Sequence, residues 1–386
     1  MSTLFQELDT VIPHYLFGRR TPAQEEIRRA IVSASSLFTF GEEERPVRYF
    51  AQKEVLKGYL LYFLPVSLHK MYFTLKETFR HPALRTTTGS LRILDIGCGI
   101  TPSIIALLEL YKQENLPPIH FEYTGVDVDP HALRVACELM TMLVPSHYQI
   151  SYQFLKMDLR KAGSFTELKN LHPHLLLMSN SLGELVSQGV PLMDLSKKLG
   201  AFILEDHLTA IFIEPGTKNA SQRLHFVRDF LIQQYRITPY SPCPHSLPCP
   251  ALRQKNWCYE EWRWRSPNYL RFLEPVGLQT RHLKLSYAIF TPQNHHLTET
   301  FPPCEGPVIK CTSHLIKEKS KSRLWGCMGG ELKDIEKLER DYVPNDPWLT
   351  IRKGTYFSTS SLITLSGKHR LPKEAQITIL YQPPEG

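Results

Sequence analysis

The chain has 386 residues, 42% of them hydrophobic and 22% charged, with a formal net charge of +7. That length exceeds one small domain, and the composition excludes a disordered or fibrous chain. No apolar run approaches the ~18–20 residues of a membrane span. The first nine residues carry acids where a signal or transit peptide carries bases. Eight cysteines without such a signal point to a reducing compartment rather than a disulfide scaffold. The expectation is a cytoplasmic protein with no membrane partner and a monomeric state.

Residues 1–88 read as helical. Thr21 and Pro22 suit a helix cap and first turn, and Leu56, Tyr59, Leu60, Phe63 and Leu64 recur at helical spacing until Pro65, which is expected to interrupt. From residue 91 strands and helices alternate. Strands are expected over 91–96, 122–129, 150–157, 174–178 and 210–213, with helices over 103–111 and 130–142. This alternation predicts an α/β fold with a parallel, Rossmann-like sheet wrapped by helices. Residues 283–291 read as a final antiparallel strand. Beyond about 296, short strands over 308–315, 323–326, 355–358 and 376–381 predict a small β-rich, barrel-like unit, and the last five residues are expected to fray. The expected divisions are an N-terminal helical region, 1–88; a Rossmann-like domain, 89–295, with a cysteine-rich insertion at about 240–268; and a β-rich C-terminal unit, 296–386.

The first strand ends in Asp95-x-Gly97-x-Gly99 before a helix. Glycines let backbone approach a ligand, and a helix N-terminus faces it. Asp127, at the end of the second strand, is placed to accept ribose hydroxyls, with Asp129 close behind. Asp158, after the third, could meet an adenine amino group. Pro102 stands where a dinucleotide-binding loop has its third glycine. After the fourth strand, residues 179–184 include Asn180, taken as a cofactor contact, and Glu184, a weak candidate for a catalytic base or else a helix cap. Together these features resemble class I S-adenosylmethionine-dependent methyltransferases.

The cysteines are unevenly placed. Cys243, Cys249 and Cys258 form a C-x5-C-x8-C pattern among prolines, and Cys304, Cys311 and Cys327 follow. Soft thiolate ligands suit zinc or an iron–sulfur cluster, and spacing alone does not choose between them. A fourth ligand must come from His245 or the C-terminal unit. Cys98 and Cys137 read as packing residues.

Ile213-Glu214-Pro215-Gly216-Thr217, a helix bearing Arg228, the Cys-Pro-His-x-x-x-Cys-Pro segment, Trp257-Cys258 and Lys284-Leu285-Ser286-Tyr287-Ala288 together resemble the small-ribosomal-subunit-associated methyltransferase-like family. That family is best known as a mitochondrial ribosome assembly factor with bacterial relatives. The resemblance runs from about 50 to 330. It implies binding of S-adenosylmethionine, a [4Fe–4S] cluster held by four cysteines, and partnership with the small ribosomal subunit and its rRNA. Three ligands correspond to Cys243, Cys249 and Cys258. Cys327, in a Cys-x-x-Gly context, fits the fourth better than Cys304 or Cys311. Two departures bear on turnover: the loop Gly97-Cys98-Gly99-Ile100-Thr101-Pro102 lacks a further glycine, and Gly183-Glu184 replaces Asn-Glu. Residues 251–330 hold twelve Lys/Arg against six Asp/Glu. There, 257–265 interleaves aromatics with arginines, a pattern that suits stacked bases and phosphates. Lys310, Lys317, Lys319, Lys321 and Arg323 add a second basic run.

Overall fold

The computed structural model describes all residues except 1–3, 40–48, 86–88, 145–147, 271–277, 279, 293–294, 366 and 384–386. The expectations about the first residues and the frayed end lie wholly or partly outside the described residues. The chain forms two compact units, residues 1–214 with 263–283, and residues 215–262 with 284–385. These are drawn differently from the divisions suggested by the sequence. The cysteine-rich segment groups with the C-terminal strands, and the N-terminal helices group with the parallel sheet.

In the first unit, helices α1 (Leu4–Phe17), α2 (Gln24–Thr39) and α3 (Lys53–Gly58) lead through a π-helical turn, Tyr59–Phe63, into α4 (Leu64–Thr78). Pro65 therefore does not interrupt the helix. It occupies the first turn of α4, where its missing N–H costs little, and the π turn before it absorbs the change in pitch. Most of α4 is buried, and it packs on the first helix of the sheet layer. A short helix, α5 (Pro82–Arg85), precedes the sheet.

Strand β1 (Ser90–Ile96) is followed by α6 (Pro102–Gln113), β2 (His120–Asp127), α7 (Pro130–Leu143), β3 (Ile150–Lys156), α8 (Ser164–Lys169), β4 (Leu175–Ser179), α9 (Leu182–Ser187), α10 (Leu192–Glu205) and β5 (Thr209–Pro215). These strands pair in parallel in the order β3-β2-β1-β4-β5. β4 and β5 are apolar and buried on both faces, as a sheet covered by helices on both sides requires. The order reverses between β1 and β4, so the loops after those strands flank a switch-point crevice, where open α/β sheets bind ligands.

The second unit contains α11 (Lys218–Tyr235), β6 (Thr238–Ser241), α12 (Pro250–Arg253), β7 (Glu260–Arg263) and β8 (His282–Thr291). β8 pairs antiparallel with β6 and also pairs with β7. Then come β9 (Val308–Cys311), β10 (Ile316–Glu318), β11 (Lys321–Met328), β12 (Glu331–Leu338), β13 (Tyr356–Thr359), β14 (Ile363–Leu365), β15 (Lys368–Arg370) and β16 (Ile377–Tyr381). Their order is β14-β15-β12-β11-β9-β13-β16, with β10 added on β11. Among the described residues the end strands β14 and β16 do not pair with each other, so this is an open sheet rather than a closed barrel. Its core holds Ile309, Leu324, Ile335, Trp348 and Phe357. A buried ion pair, Lys337–Asp346 at 2.7 Å, flanks it, and Trp348 Nε1 donates to Ser322 Oγ at 2.7 Å. Gly329 and Gly330 have φ of +56° and +78°, the geometry of a two-residue hairpin turn between β11 and β12.

Among the described residues no helix is long and apolar enough to cross a membrane. A Cβ on Gly58 would lie 2.0 Å from the Ala30 carbonyl oxygen of α2. Gly58→Ala is therefore expected to cost about 1–3 kcal/mol by overpacking, measured as a lowered urea midpoint. An unchanged midpoint would contradict this tight helix crossing.

Candidate functional site

The first unit places Asp95, Gly97, Gly99, Asp127 and Asn180 around the switch-point crevice. Gly97 and Gly99 have φ of +68° and +51°, and a side chain at Gly97 would strike Ser181 at 2.5 Å. The loop after β1 thus lies directly against the loop after β4. Ser181 Oγ locks this approach by donating to the Ile96 carbonyl at 3.0 Å. Asp127 Oδ2 accepts from Gly99 N and Oδ1 from Asp129 N, both at 2.9 Å. Burial raises its pKa, and these two amides oppose the rise. Pro102 opens α6 at a position where proline is favoured.

Asp95 is buried. The Tyr123 hydroxyl donates to its Oδ2 at 2.8 Å, while its Oδ1 is buried with no hydrogen-bond partner. Burial pushes its pKa up to about 7. Two acidic side chains at adjacent strand ends, one with an unsatisfied buried acceptor, and a loop of left-handed glycines fit a ligand offering hydroxyls and positive charge.

Asp158, after β3, carries a local ion pair. Arg160 closes a fork on its carboxylate, Nε to Oδ1 at 2.8 Å and Nη2 to Oδ2 at 2.7 Å, and this hydrogen-bonded pairing holds its pKa down. Asn180 adopts φ of +57°, and its backbone N–H donates to the Ile213 carbonyl at 2.7 Å.

Glu214, the acid of the Glu-Pro-Gly-Thr segment, is buried and accepts from the backbone N–H groups of Leu182 and Gly183 at 3.1 and 3.3 Å. It therefore braces the first turn of α9, which carries Glu184. Tyr49 donates to Glu184 Oε1 at 3.4 Å. Lys70 of α4 is pulled down to about 8 by burial, against the opposing carboxylate of Glu214. Sequence reading missed both Glu214 and Lys70 as parts of this site.

In the second unit, Cys243, Cys249, Cys258 and Cys327 line one cavity together with His225, Arg228, His245, Glu260 and Lys310. Cys304 and Cys311 are not part of its lining; Cys311 belongs to the C-terminal core and donates to the Ser313 carbonyl at 3.1 Å. His245 Nε2 lies 3.3 Å from Cys327 Sγ. A Cβ on Gly330 would meet Leu247 at 2.8 Å, so the glycine of Cys-x-x-Gly serves both the hairpin turn and the seat of the cysteine loop. Arg253 fixes the same turn by donating to the Gly330 carbonyl at 2.6 Å.

The cavity carries charge. Lys310 is buried and ion-paired with Glu260; it is not part of an exposed basic run. Burial works to lower its pKa, but the Glu260 carboxylate paired with it outweighs that and holds it charged. Burial pushes the Cys249 thiol up to about 12 and raises Cys258 and Cys327 as well, so these groups rest as neutral thiols until a cation replaces their protons. Arg228 Nε and Glu260 Oε2 are buried without a hydrogen-bond partner. Among the described residues, no three His, Cys, Asp or Glu groups are arranged to hold a single metal ion.

The tryptophans of 257–265 divide. Trp262 and Trp264 are buried, packed on Tyr287 and His69 respectively, and serve the core. Trp257 and Tyr259 are half-buried with near-parallel rings 6.5 Å apart, beside Lys218 and Lys353.

The profile of the family described as "Mitochondrial small ribosomal subunit Rsm22" matches residues 56–291. No curated protein matches the chain. Among solved structures, a magnesium protoporphyrin IX methyltransferase from Synechocystis with bound S-adenosylmethionine is 12% identical, with a TM-score of 0.33, covering 68% of this chain and 96% of that one. A plantazolicin methyltransferase in complex with S-adenosylhomocysteine is 16% identical, with a TM-score of 0.32, covering 73% and 99%. A precorrin-6y C5,15-methyltransferase from Geobacter metallireducens is 10% identical, with a TM-score of 0.32, covering 56% and 86%.

The Asp95 carboxyl has a pKa of about 7 in the fold against an ordinary value of 3.8. Its contribution to stability is full below about pH 4 and is lost as pH rises through 7. Asp95→Asn, which does not titrate, should gain stability relative to the wild type between pH 5 and pH 8 in urea unfolding. Parallel pH profiles would contradict the assignment.

Proposed function

The chain belongs to the Rsm22 family of mitochondrial small-ribosomal-subunit proteins, and from that premise we propose a small-subunit-associated methyltransferase-like protein that binds S-adenosylmethionine, rRNA and a [4Fe–4S] cluster. The observation that carries the cluster reading is the meeting of Cys327 with the three cysteines of 243–258, distant from it in sequence, in one cavity with two buried cations. Cys243, Cys249, Cys258 and Cys327 would hold it. Four donors around one zinc must all lie a bond length from a single point, whereas a cubane takes its cysteines at separate corners. Either group would draw on the four thiols that line the cavity, and analysis for iron, sulfide and zinc separates them.

In the first unit, Asp127 would accept the ribose hydroxyls, and Asp95, with Gly97, Gly99 and Asn180, would form the rest of the cofactor cradle. The bound cofactor would supply a methyl group on a sulfonium, and transfer needs chiefly alignment of donor and acceptor. Glu214 would keep the loop after β4 in register for that alignment, and Glu184 would take a proton where the acceptor carries one. For rRNA, the half-buried Trp257 would offer a face for an unpaired base, with Lys218 beside it. The proposed acting form is a monomer in the cytoplasm, while the family's description names the mitochondrion; cell fractionation separates the two compartments.

The alternative is an assembly scaffold whose pocket takes no cofactor. Calorimetry with S-adenosylmethionine decides between them. The first reading expects saturable binding that Asp127→Ala weakens about tenfold or more, the scale of lost charge-assisted hydrogen bonds. No heat with either protein would leave the scaffold. In parallel, the wild-type protein should sediment with small ribosomal subunits. A protein that stays in the supernatant at low and moderate salt would contradict the ribosomal assignment.

A further inference from the structure

One helix face touches the backbone of every segment that carries the first three cysteines. His225, Arg228 and Asp229 lie at i, i+3 and i+4 on α11, the spacing that puts three side chains on one side of a helix. His225 Nε2 sits 3.0 Å from the Cys258 carbonyl oxygen and 3.1 Å from its amide nitrogen. Arg228 Nη2 donates to the His245 carbonyl at 2.7 Å and Nη1 to the Leu247 carbonyl at 2.8 Å. The Asp229 carboxylate accepts the Cys249 N–H at 2.9 and 3.1 Å and accepts from Arg228 at 2.5 Å. Ser286 closes the set by donating to the Cys258 carbonyl at 3.3 Å.

We propose that His225, Arg228 and Asp229 are positioning residues, a clasp that holds Cys243, Cys249 and Cys258 in ligating positions before any metal arrives. The inference rests on the cluster reading above. It goes further in saying which side chains set the ligand geometry and that they do so without the cluster. A loop kept in place only by its metal would have no need of these contacts. Here the carbonyls between Cys243 and Cys249 are spanned by one guanidinium, whose fork is rigid and planar. The neighbouring carboxylate pins the far end of the same loop. Arg228 also brings a positive charge into a cavity walled by four thiols, where it offsets the negative charge that metal-bound thiolates carry. The clasp acts through backbone atoms only, so it fixes where the sulfur atoms stand and takes no part as a ligand.

The test is anaerobic reconstitution of the full-length protein with ferrous iron and sulfide. Iron per chain, the visible absorbance, the electron paramagnetic resonance signal after reduction and the rate of iron loss to a chelator are measured in the wild type and in His225→Leu, Arg228→Lys and Asp229→Ala. Each variant should lose iron to the chelator about 10–100-fold more readily, the usual penalty for removing an outer-shell partner of a metal site. Asp229→Asn and His225→Gln keep an acceptor and should recover most of the retention. Circular dichroism shows that the fold survives. Should Arg228→Lys fail to fold, the paired Asp229 variants still decide. A loaded wild type alongside variants that hold iron equally well and give the same resonance signal would overturn the clasp alone. A wild type that takes up no iron would overturn the cluster reading and the clasp with it.

Discussion

A guanidinium buried as deeply as that of Arg228 has to be answered by partners, and the answers given to it organise the second unit. Two loop carbonyls and one carboxylate accept from its terminal nitrogens. Each belongs to the cysteine loop or to the residue that fixes that loop's far end. The arginine on α11, the loop over 243–249 and the hairpin over 328–331 therefore form one assembly, with Leu247 and Gly330 in contact where the last two meet. Removing the arginine would take both hydrogen bonds from the loop carbonyls of His245 and Leu247 and leave a cavity.

The two family motifs that flank this assembly have physical reasons of their own. Glu214 gives up its solvation to hold two backbone amides of α9. Two residues on, a Cβ at Gly216 would lie 3.0 Å from the Leu285 nitrogen and 3.1 Å from the Lys284 carbonyl carbon, so Glu-Pro-Gly-Thr and Lys-Leu-Ser-Tyr-Ala are fitted to each other. Ser286 and Tyr287 of the second motif then reach the cysteine site, one through the Cys258 carbonyl and the other as cavity wall. A short segment thus serves packing and site at once.

Much of this was legible in the sequence because its causes are local. Alternating strands and helices announce a parallel sheet, and the loop Asp95-x-Gly97-x-Gly99 announces the crevice at its reversal. The C-x5-C-x8-C pattern marked three of the cysteines that share the cavity, while the fourth, Cys327, was left open by spacing and implied only by the family resemblance. What stayed hidden depends on tertiary contact. Lys310 looks like one of five basic residues until Glu260 is seen beside it. Pro65 looks like a helix stop because the π turn before it leaves no pattern. Glu331–Leu338, with charges among its apolar residues, does not read as a strand until it pairs with β11. His225 and Asp229 could have been noticed from their spacing around Arg228, but only the fold shows that the face they share looks onto the cysteines.

Anaerobically purified wild-type protein, analysed for iron, acid-labile sulfide and zinc, tests whether the cysteine cavity is built for a cluster. About four irons and about four sulfides per chain are expected, as a [4Fe–4S] centre requires, with loss of both in Cys327→Ser. A colourless protein free of iron and carrying about one zinc per chain would contradict the cluster reading, since four thiolates closed on one ion make a structural zinc site.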